Sequence, residues 1–153
     1  MSTNPRVDRY LKNKAMDYID HALGRPAWPL VESHRNHFAV GANSALAAEM
    51  TASPFWNGPK IRDTMAYFFV NDQGRAALAA HLHEIGDPHR VYEVTTKPGE
   101  IFDGKWTNLI VATSASKARY TAFLQATDAH ELEFVEFQKS ISVRLAASSE
   151  ARS

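Results

Sequence analysis

The sequence predicts an α+β protein that folds as two small units, about residues 7–86 and about residues 89–146. Apolar residues recur at helical spacing in some segments of both halves and alternate with polar residues in others. The "GDPH" stretch, residues 86–89, has the composition of a linker. A chain of 153 residues suffices for one domain or two very small ones. If the two units share a core, this stretch is a turn within one domain.

The first half opens with two predicted helices. Val7–Leu23 carries apolar residues three and four positions apart, and Gly24 and Pro26 follow it as typical helix stops. Residues 30–41 ("LVESHRNHFAVG") predict a short second helix that ends at its glycine. Both predictions rest on local spacing alone.

A third helix and a hairpin follow. Residues 42–54 ("ANSALAAEMTASP") predict a helix that Asn43 or Ser44 caps, because a short polar side chain there can accept from the first free N–H groups. The "NGP" stretch, residues 57–59, predicts a turn between two aromatic-rich arms. We expect these arms to be Phe55–Trp56 and Met65–Val70.

The remaining elements are predicted in the order helix, strand, strand, helix, strand. A helix should begin at Asn71 or Asp72 and stop at Gly86, with Gly74 in its first turn, where a glycine costs little. Two strands should flank the turns "KPGE" and "FDGK", and a helix over residues 116–126 should follow. "FVEFQ" fits either a helical turn or the start of the last strand, whose apolar residues alternate at Ile141, Val143 and Leu145. The tail, residues 147–153, is small and polar and is predicted to be disordered.

Composition and charge exclude several classes of protein. Hydrophobic residues make up 44% and charged residues 22%, as in ordinary globular chains. There is no cysteine, so disulfides, thiol catalysis and thiolate metal sites are excluded. No apolar run approaches the roughly 20 residues of a membrane helix, and the first ten residues lack a secretory signal. Together these features predict a protein of a reducing compartment, such as a bacterial cytoplasm.

The charge balance argues against bulk electrostatic attraction to nucleic acid. Lys and Arg number 17, as do Asp and Glu, and residues 1–88 hold nine of each sign. Neither half therefore has the positive field that non-specific nucleic-acid binding usually needs. A nucleic-acid role would depend on local clustering of basic residues.

The phrase "AYFFVNDQGRAALAAHL" resembles the end of winged-helix domains, in which a strand closes the wing and a polar cap opens a helix. The resemblance implies that residues 43–51 are a recognition helix and that "NGPKIRDT" is the wing. Such a helix lies in the major groove, so Asn43 and Ser44 would contact base edges. Lys60 and Arg62 on the wing would contact phosphates. The helix has no basic residue and one acid, Glu49, so a winged-helix shape that binds protein or only scaffolds stays open as well.

The histidines are the candidates for a metal site. His34 and His37 lie three apart and could ligate zinc or iron with Glu32 or Asp20. No "HExxH" pattern or cysteine supports such a site, and no phosphate loop, "GxSxG" elbow or close carboxylate pair is present. The sequence therefore predicts no metal, no cofactor and no enzymatic activity. The other histidines considered are His81, His83 and His89.

Two polar residues beside these histidines have a simpler interpretation. Arg35 and Asn36 are expected to hold a turn by hydrogen bonding to buried carbonyl groups. This makes Arg35 a structural residue rather than a ligand-binding one.

The second half resembles a pattern found in uncharacterised small proteins of tailed phages and prophages. The matching stretches are "YEVTT", "NLIVATSASKARYTAFLQATDA" and "FVEFQKSISVRLA", and "RNHF" in the first half belongs to the same pattern. The resemblance reaches about two thirds of the chain. It implies a viral or prophage source and an accessory role in the host cell, with no activity attached.

The two basic residues of "SASKARY" point in different directions when the helix is drawn at about 100° per residue. Arg119 falls in the sector of the alanines, next to Phe123, and is predicted to brace the sheet edge. Lys117 lies nearly opposite, exposed to solvent and open to a phosphate or an acidic partner. Ser114 should cap this helix. The candidate partners of Arg119 are Glu93, Asp128 and Glu136.

The sequence as a whole predicts a non-enzymatic protein that binds a macromolecule, either duplex DNA or a host protein complex. The alternative is a phage inhibitor of a host defence or transcription complex, of the anti-CRISPR type, that acts by protein–protein occlusion. A third, weaker option is an enzyme that uses His34 and His37. Trp28, Trp56 and Trp106 are candidate interface anchors, although a core position is favoured for Trp56. A homodimer is left open.

Overall fold

The computed structural model describes residues 4–33, 35–99, 101–127 and 133–146. These residues divide into two compact units, residues 6–87 and residues 88–146, and residues 4–5 group with the second. Helices and small antiparallel sheets occur in both, so the predicted α+β class is confirmed. His34, Asp128 and the tail 147–153 lie outside the described residues.

In its described residues the first unit has three helices and a three-stranded antiparallel sheet. In chain order the elements are α1 (Lys14–Ala22), β1 (Phe38–Gly41), α2 (Ala45–Ala52), β2 (Trp56–Arg62), β3 (Met65–Val70) and α3 (Asp72–Glu84). The strand order is β1-β3-β2, so β3 is the central strand.

Helix α1 is shorter than the sequence predicts, and the Val7–Leu23 prediction is wrong at its start. Asn13 is the N-cap, and its side chain accepts from the Met16 N–H. The chain before it is held by longer-range bonds, because the Val7 N–H donates to the Arg25 carbonyl at 2.8 Å. Val7 therefore shares a helical spacing with α1 without belonging to it.

The predicted second helix over residues 30–41 is also wrong, because its last residues form β1 instead. The Asn36 side chain pairs with both backbone groups of Val70, donating to its carbonyl at 2.8 Å and accepting from its N–H at 2.7 Å. This pairing lies directly ahead of the β1–β3 ladder, which starts with Phe38 opposite Phe68. A partner 34 residues away thus decides the conformation.

The second arm of the hairpin is Met65–Val70 as predicted, but the first arm is longer than predicted, and residues 57–59 are not the turn. Strand β2 continues through them to Arg62, and the connection to β3 is Asp63–Thr64. Residues 58–59 instead form an irregularity at which the β2–β3 register shifts. Gly58 has a φ of +116°, and a Cβ there would lie 2.8 Å from the Tyr67 carbonyl oxygen, so the position requires glycine.

Helices α2 and α3 begin where the sequence predicts. Ser44 caps α2 by accepting from the Ala47 N–H at 3.1 Å, and Asn71 caps α3 by accepting from the Gly74 N–H at 2.9 Å. Gly74 is buried, and a Cβ there would lie 2.6 Å from the Phe55 carbonyl oxygen. Close packing against Phe55, in addition to the small cost of glycine in a first turn, therefore accounts for glycine at this position.

The core of the first unit lies on one face of the sheet. Phe38, Trp56 and Phe68 pack edge to face, with ring centroids 5.9 and 6.4 Å apart. Ile19 of α1 and Leu78 of α3 are fully buried in the same cluster. The helices thus cover the inner face of this sheet.

The described residues of the second unit form three strands and two helices. In chain order these are β4 (Arg90–Thr96), β5 (Thr107–Ala112), α4 (Ala115–Thr127), α5 (Phe134–Lys139) and β6 (Ile141–Leu145). The strands form an antiparallel sheet with the order β5-β4-β6. The core joins this sheet to the small residues Ala118 and Ala122 of α4 and to Phe137 of α5. The "FVEFQ" stretch is helical, which resolves the alternative left open by the sequence.

Candidate functional site

The outer face of the first sheet carries aromatic side chains along its central strand. In β3 the buried residues Ala66, Phe68 and Val70 alternate with partly exposed ones. Because successive side chains of a strand point to opposite faces, the partly exposed set lies on the face away from the core. That set is Met65, Tyr67 and Phe69.

Strand β2 places two basic residues beside this row. Lys60 lies directly opposite Tyr67, and Arg62 lies opposite Met65. Residues paired across an antiparallel ladder share a face and lie about 4.5–5.5 Å apart at Cβ. We call the set Lys60, Arg62, Met65, Tyr67 and Phe69 the hairpin platform.

The register shift within β2 is what brings Lys60 and Arg62 to this face. Asn57 pairs with Phe69, and the next pair is Lys60 with Tyr67, so β2 uses three residues where β3 uses two. With a regular ladder Lys60 would lie opposite Ala66, which faces the core. A one-residue shift moves every following side chain to the other face. The irregularity at Gly58 therefore creates the platform.

On the β1 side of the platform, the residues opposite Tyr67 and Met65 are small. Ala39 of β1 lies opposite Tyr67, and Gly41 lies opposite Met65. A methyl group and a hydrogen leave that side of the Tyr67 ring uncovered by β1 side chains. The platform is thus asymmetric, with long cations on one side and small residues on the other.

The platform borders a shallow depression with a volume of about 370 Å³. The Lys60 ammonium lies 5.4 Å from the centroid of the Phe69 ring, a cation–π contact. Such a contact contributes about 0.5–1 kcal/mol at an exposed site. Lys60 is therefore held only weakly over the Phe69 ring. Residues lining the depression are Lys60, Ile61, Arg62, Tyr67 and Phe69.

Five other charged residues of the first unit form a largely buried cluster of ion pairs. Asp20 is fully buried and accepts two hydrogen bonds from Arg9, at 2.7 and 3.0 Å, and one from Arg25 at 3.0 Å. Arg25 also donates to Asp17 at 2.8 Å, and Arg9 lies 3.5 Å from Asp87. Residues 6–87 contain nine basic and nine acidic residues, and this cluster holds two of the former and three of the latter. The cluster therefore carries one net negative charge, and the seven basic and six acidic residues outside it carry one net positive charge.

Asp17 and Arg25 each favour the charged form of the other. Burial alone would raise the pKa of Asp17, but hydrogen bonds from Arg25 and the Leu11 N–H outweigh it, so the pKa lies below its ordinary value of 3.8. Burial likewise opposes the charge of Arg25, and its bonds to Asp17 and Asp20 raise its pKa in spite of that. The cluster is therefore a structural brace, in which each carboxylate is held by an arginine.

Asn43 and Ser44, which were predicted to contact base edges, differ in whether their side chains are already engaged in the fold. Asn43 is exposed just before α2. The Ser44 hydroxyl is already used, because it accepts from the Ala47 N–H and donates to the Gly41 carbonyl at 2.7 Å. Ser44 is therefore a helix cap, and its predicted contact with a ligand is not supported by this geometry.

Arg35 contacts backbone carbonyl groups. It donates to Ala22 at 3.3 Å and to His37 at 3.2 Å. Burial, with the nearby charges of Arg35 and Arg25, lowers the pKa of His21, whose ring packs against Phe38. These contacts tie the segment before β1 to the end of α1.

The two basic residues of "SASKARY" lie in the second unit. The Ser114 hydroxyl accepts from the Lys117 N–H at 3.1 Å, and the Lys117 side chain is exposed. Arg119 is half-buried, but Glu93, one of its predicted partners, pairs with Arg144 at 2.6 Å instead. The Arg119–Glu93 prediction is wrong because the β4–β6 register sets Arg144 directly opposite Glu93.

The three tryptophans differ clearly in exposure to solvent. Trp28 is completely buried, so its prediction as an interface anchor is wrong. Trp56 is in the core, as favoured, and Trp106 is 66% exposed. Trp106 therefore stays a candidate anchor.

Within the described ranges, no three or more His, Asp or Glu side chains gather as a metal site would require. His34, half of the predicted pair, lies outside those ranges. His81 and His83 lie two apart on α3 and so point to different sides of it.

Sequence reasoning found Lys60 and Arg62 but missed Tyr67 and Phe69. The run "AYFFV" is apolar at every position, so it does not show which residues face outward. A first hairpin arm that extends to Arg62 would have revealed them, because it pairs this run with the strand that carries Lys60 and Arg62.

No protein-family model, curated protein or solved structure matches this chain. The resemblance to winged-helix domains is therefore not confirmed. In the parts of the chain that the structure describes, no helix is long and apolar enough to cross a membrane.

Proposed function

We propose that this protein binds nucleic acid through the hairpin platform and has no enzymatic activity. One observation carries the proposal: two cationic side chains and two aromatic rings share the open face of one sheet. Lysine and arginine attract phosphates, and release of the counterions condensed on the nucleic acid drives that binding. Aromatic side chains offer a surface on which nucleobases stack. The platform has both elements side by side.

The nucleic-acid contact lies on the hairpin rather than on helix α2, where the resemblance to winged-helix domains places it. Residues 45–52 contain no basic residue, and the Ser44 hydroxyl is held by the helix cap. Lys60 and Arg62 are exposed, as a phosphate contact requires. Binding to duplex DNA in the manner of a winged helix would use the same two cations without help from α2.

The setting is part of the proposal. The patterns "SASKARY" and "RNHF" support a phage or prophage source, and the absence of cysteine in the sequence fits a bacterial cytoplasm. In that setting the protein is an accessory factor that occupies nucleic acid in the host cell.

The test is a binding titration by fluorescence anisotropy, with single-stranded and duplex oligonucleotides at several salt concentrations. The variant Lys60→Gln with Arg62→Gln should weaken binding and reduce the slope of log affinity against log salt. The slope should fall by roughly 0.7–0.9 for each phosphate that the variant no longer neutralises.

A matched control makes the same change in charge elsewhere in the unit. Lys12 and Lys14 are exposed and lie away from the hairpin in sequence, so Lys12→Gln with Lys14→Gln should leave the slope unchanged. Absence of binding to every oligonucleotide at low salt would refute the proposal. So would equal losses of affinity in the two double variants.

A second candidate function has an observation of its own in the second unit. Tyr120, Leu124 and Val135 are large apolar residues that are 50–63% exposed, and the Tyr120 ring contacts Phe134 of α5 at 5.8 Å. An exposed apolar group of this kind is typical of protein interfaces. It supports the alternative of an inhibitor, of the anti-CRISPR type, that occludes a host complex.

This candidate is tested by affinity capture of host proteins with the wild type and with Tyr120→Ser plus Val135→Ser. A partner retained by the wild type and absent with the variant would support occlusion. A partner retained equally by both would rule out this surface.

A further inference from the structure

We infer that the hairpin platform takes single-stranded nucleic acid, with nucleobases stacked on Tyr67 and Phe69 and phosphates along Lys60 and Arg62. The inference rests on the proposed function and specifies the form of its ligand. It is argued from three observations: the spacing of the two rings along β3, the position of the two cations on β2 and the small residues of β1 on the other side.

The spacing of the rings fits a stretched strand. Tyr67 and Phe69 are two residues apart on β3, so their attachment points are about 6.8 Å apart at the ~3.4 Å rise of a strand. Bases of a duplex follow one another at about 3.4 Å along each strand. Neighbouring bases of a duplex therefore cannot each occupy one ring. A single strand whose bases are splayed apart can place one base on each ring.

The cations lie where the backbone of such a strand would run. Lys60 and Arg62 alternate along β2 with the same two-residue step as the rings on β3. Neighbouring strands are about 4.8 Å apart, so the cations run parallel to the rings, displaced by one two-residue step: Lys60 lies beside Tyr67, and Arg62 lies beside Met65. A single strand could then place its phosphates near the cations of β2 and its nucleobases on the rings of β3.

The small residues of β1 leave room for the nucleobases. Ala39 and Gly41 lie opposite Tyr67 and Met65 on the flank away from the cations. A base that stacks on Tyr67 can extend over this flank without meeting a long side chain of β1. In a duplex the bases are enclosed by two backbones and cannot reach a flat sheet in this way.

Without a ligand, the Lys60 side chain covers the Phe69 ring. The Lys60 ammonium rests above this ring at 5.4 Å from the centroid. A strand that brings a phosphate to β2 would draw Lys60 from the ring and uncover it. Phosphate binding and stacking on Phe69 would then occur together.

The test compares three labelled oligonucleotides of about 12 nucleotides, within the site sizes of known single-strand binders. These are a single-stranded DNA, a single-stranded RNA and a DNA duplex, each titrated with the full-length protein by fluorescence anisotropy at low and at physiological salt. We expect both single strands to bind at least tenfold more tightly than the duplex at the same salt.

Variants at Tyr67 identify stacking. Tyr67→Leu keeps an apolar side chain on the strand but cannot stack, and it should weaken single-strand binding roughly 5- to 150-fold, the range for loss of one base–aromatic stack. Tyr67→Phe keeps the ring and should bind within about twofold of the wild type. Tyr10→Leu, which changes a tyrosine that is 79% exposed and lies outside the platform, is the control and should have no effect. Far-UV circular dichroism of each variant excludes loss of folding as the cause.

The outcomes separate the two proposals. Duplex binding as tight as single-strand binding, or Tyr67→Leu binding like the wild type, would overturn the inference while nucleic-acid binding itself stands. No binding to any of the three oligonucleotides would overturn the proposed function and the inference with it.

Discussion

Replacing Asp20 with alanine should destabilise the first unit by about 3 kcal/mol. Asp20 is fully buried and accepts three hydrogen bonds from Arg9 and Arg25. Removal of one partner from a buried ion pair costs about 3–5 kcal/mol, because the remaining charge is left without compensation. We expect the lower end, since Arg9 keeps the Pro26 carbonyl at 2.6 Å and Arg25 keeps Asp17 at 2.8 Å.

The control is a shorter ion pair at the surface. Arg144 lies 2.6 Å from Glu93, but its side chain is 80% exposed. Exposed pairs contribute about 0–1 kcal/mol, since water and salt screen them and both side chains lose entropy. Arg144→Ala should therefore cost less than about 1 kcal/mol, although its bond is as short as any in the Asp20 cluster.

The assay is equilibrium unfolding in urea. Trp28 and Trp56 belong to the first unit, so tryptophan fluorescence in a Trp106→Phe background reports on that unit alone. Circular dichroism follows the Arg144→Ala control. The free energy of unfolding comes from the midpoint and slope of each curve. If Asp20→Ala costs less than about 1 kcal/mol, or no more than the control, the reasoning from burial is wrong.

Three further outcomes are expected. Gly74→Ala should cost about 1–3 kcal/mol in thermal or urea unfolding, because its Cβ would lie 2.6 Å from a backbone oxygen, whereas Gly99→Ala, with nothing within 4 Å, should change stability by less than about 0.5 kcal/mol. Asn36→Ala should cost about 1–2 kcal/mol by leaving both backbone groups at the end of β3 without their partner, and Asn43→Ala, at an exposed position, should be close to neutral. Asp17 has a folded pKa below 3.8, so its stabilising effect is complete above that value and is lost as the pH falls through the folded pKa. The urea midpoint of Asp17→Asn should thus fall less than that of the wild type between about pH 5 and about pH 3, and an equal fall would contradict the assignment.

Local signals in the sequence determined the elements whose ends are fixed by their own neighbours. The caps Ser44, Asn71 and Ser114 each accept a hydrogen bond from an N–H three residues on, so the starts of α2, α3 and α4 could be predicted. The alternation from Ile141 to Leu145 likewise predicted β6. These predictions needed no partner from elsewhere in the chain.

Elements that depend on distant partners could not be predicted in this way. Residues 30–41 carry a helical spacing, but the side chain of Asn36 pairs with the backbone of Val70 and their last four residues form β1. Val7 has the spacing of α1, yet its N–H bonds to the Arg25 carbonyl. In both places a bond to a distant residue overrides the local preference.

The candidate site shows the same division. The sequence alone determined that Lys60 and Arg62 are basic residues on a hairpin and that the chain carries no cysteine and no net charge. Only the tertiary structure decided that these two cations share a face with Tyr67 and Phe69. The physical reason is the register shift at Gly58: strand side chains alternate between faces, so one extra residue in β2 turns Lys60 from the core to the aromatic row.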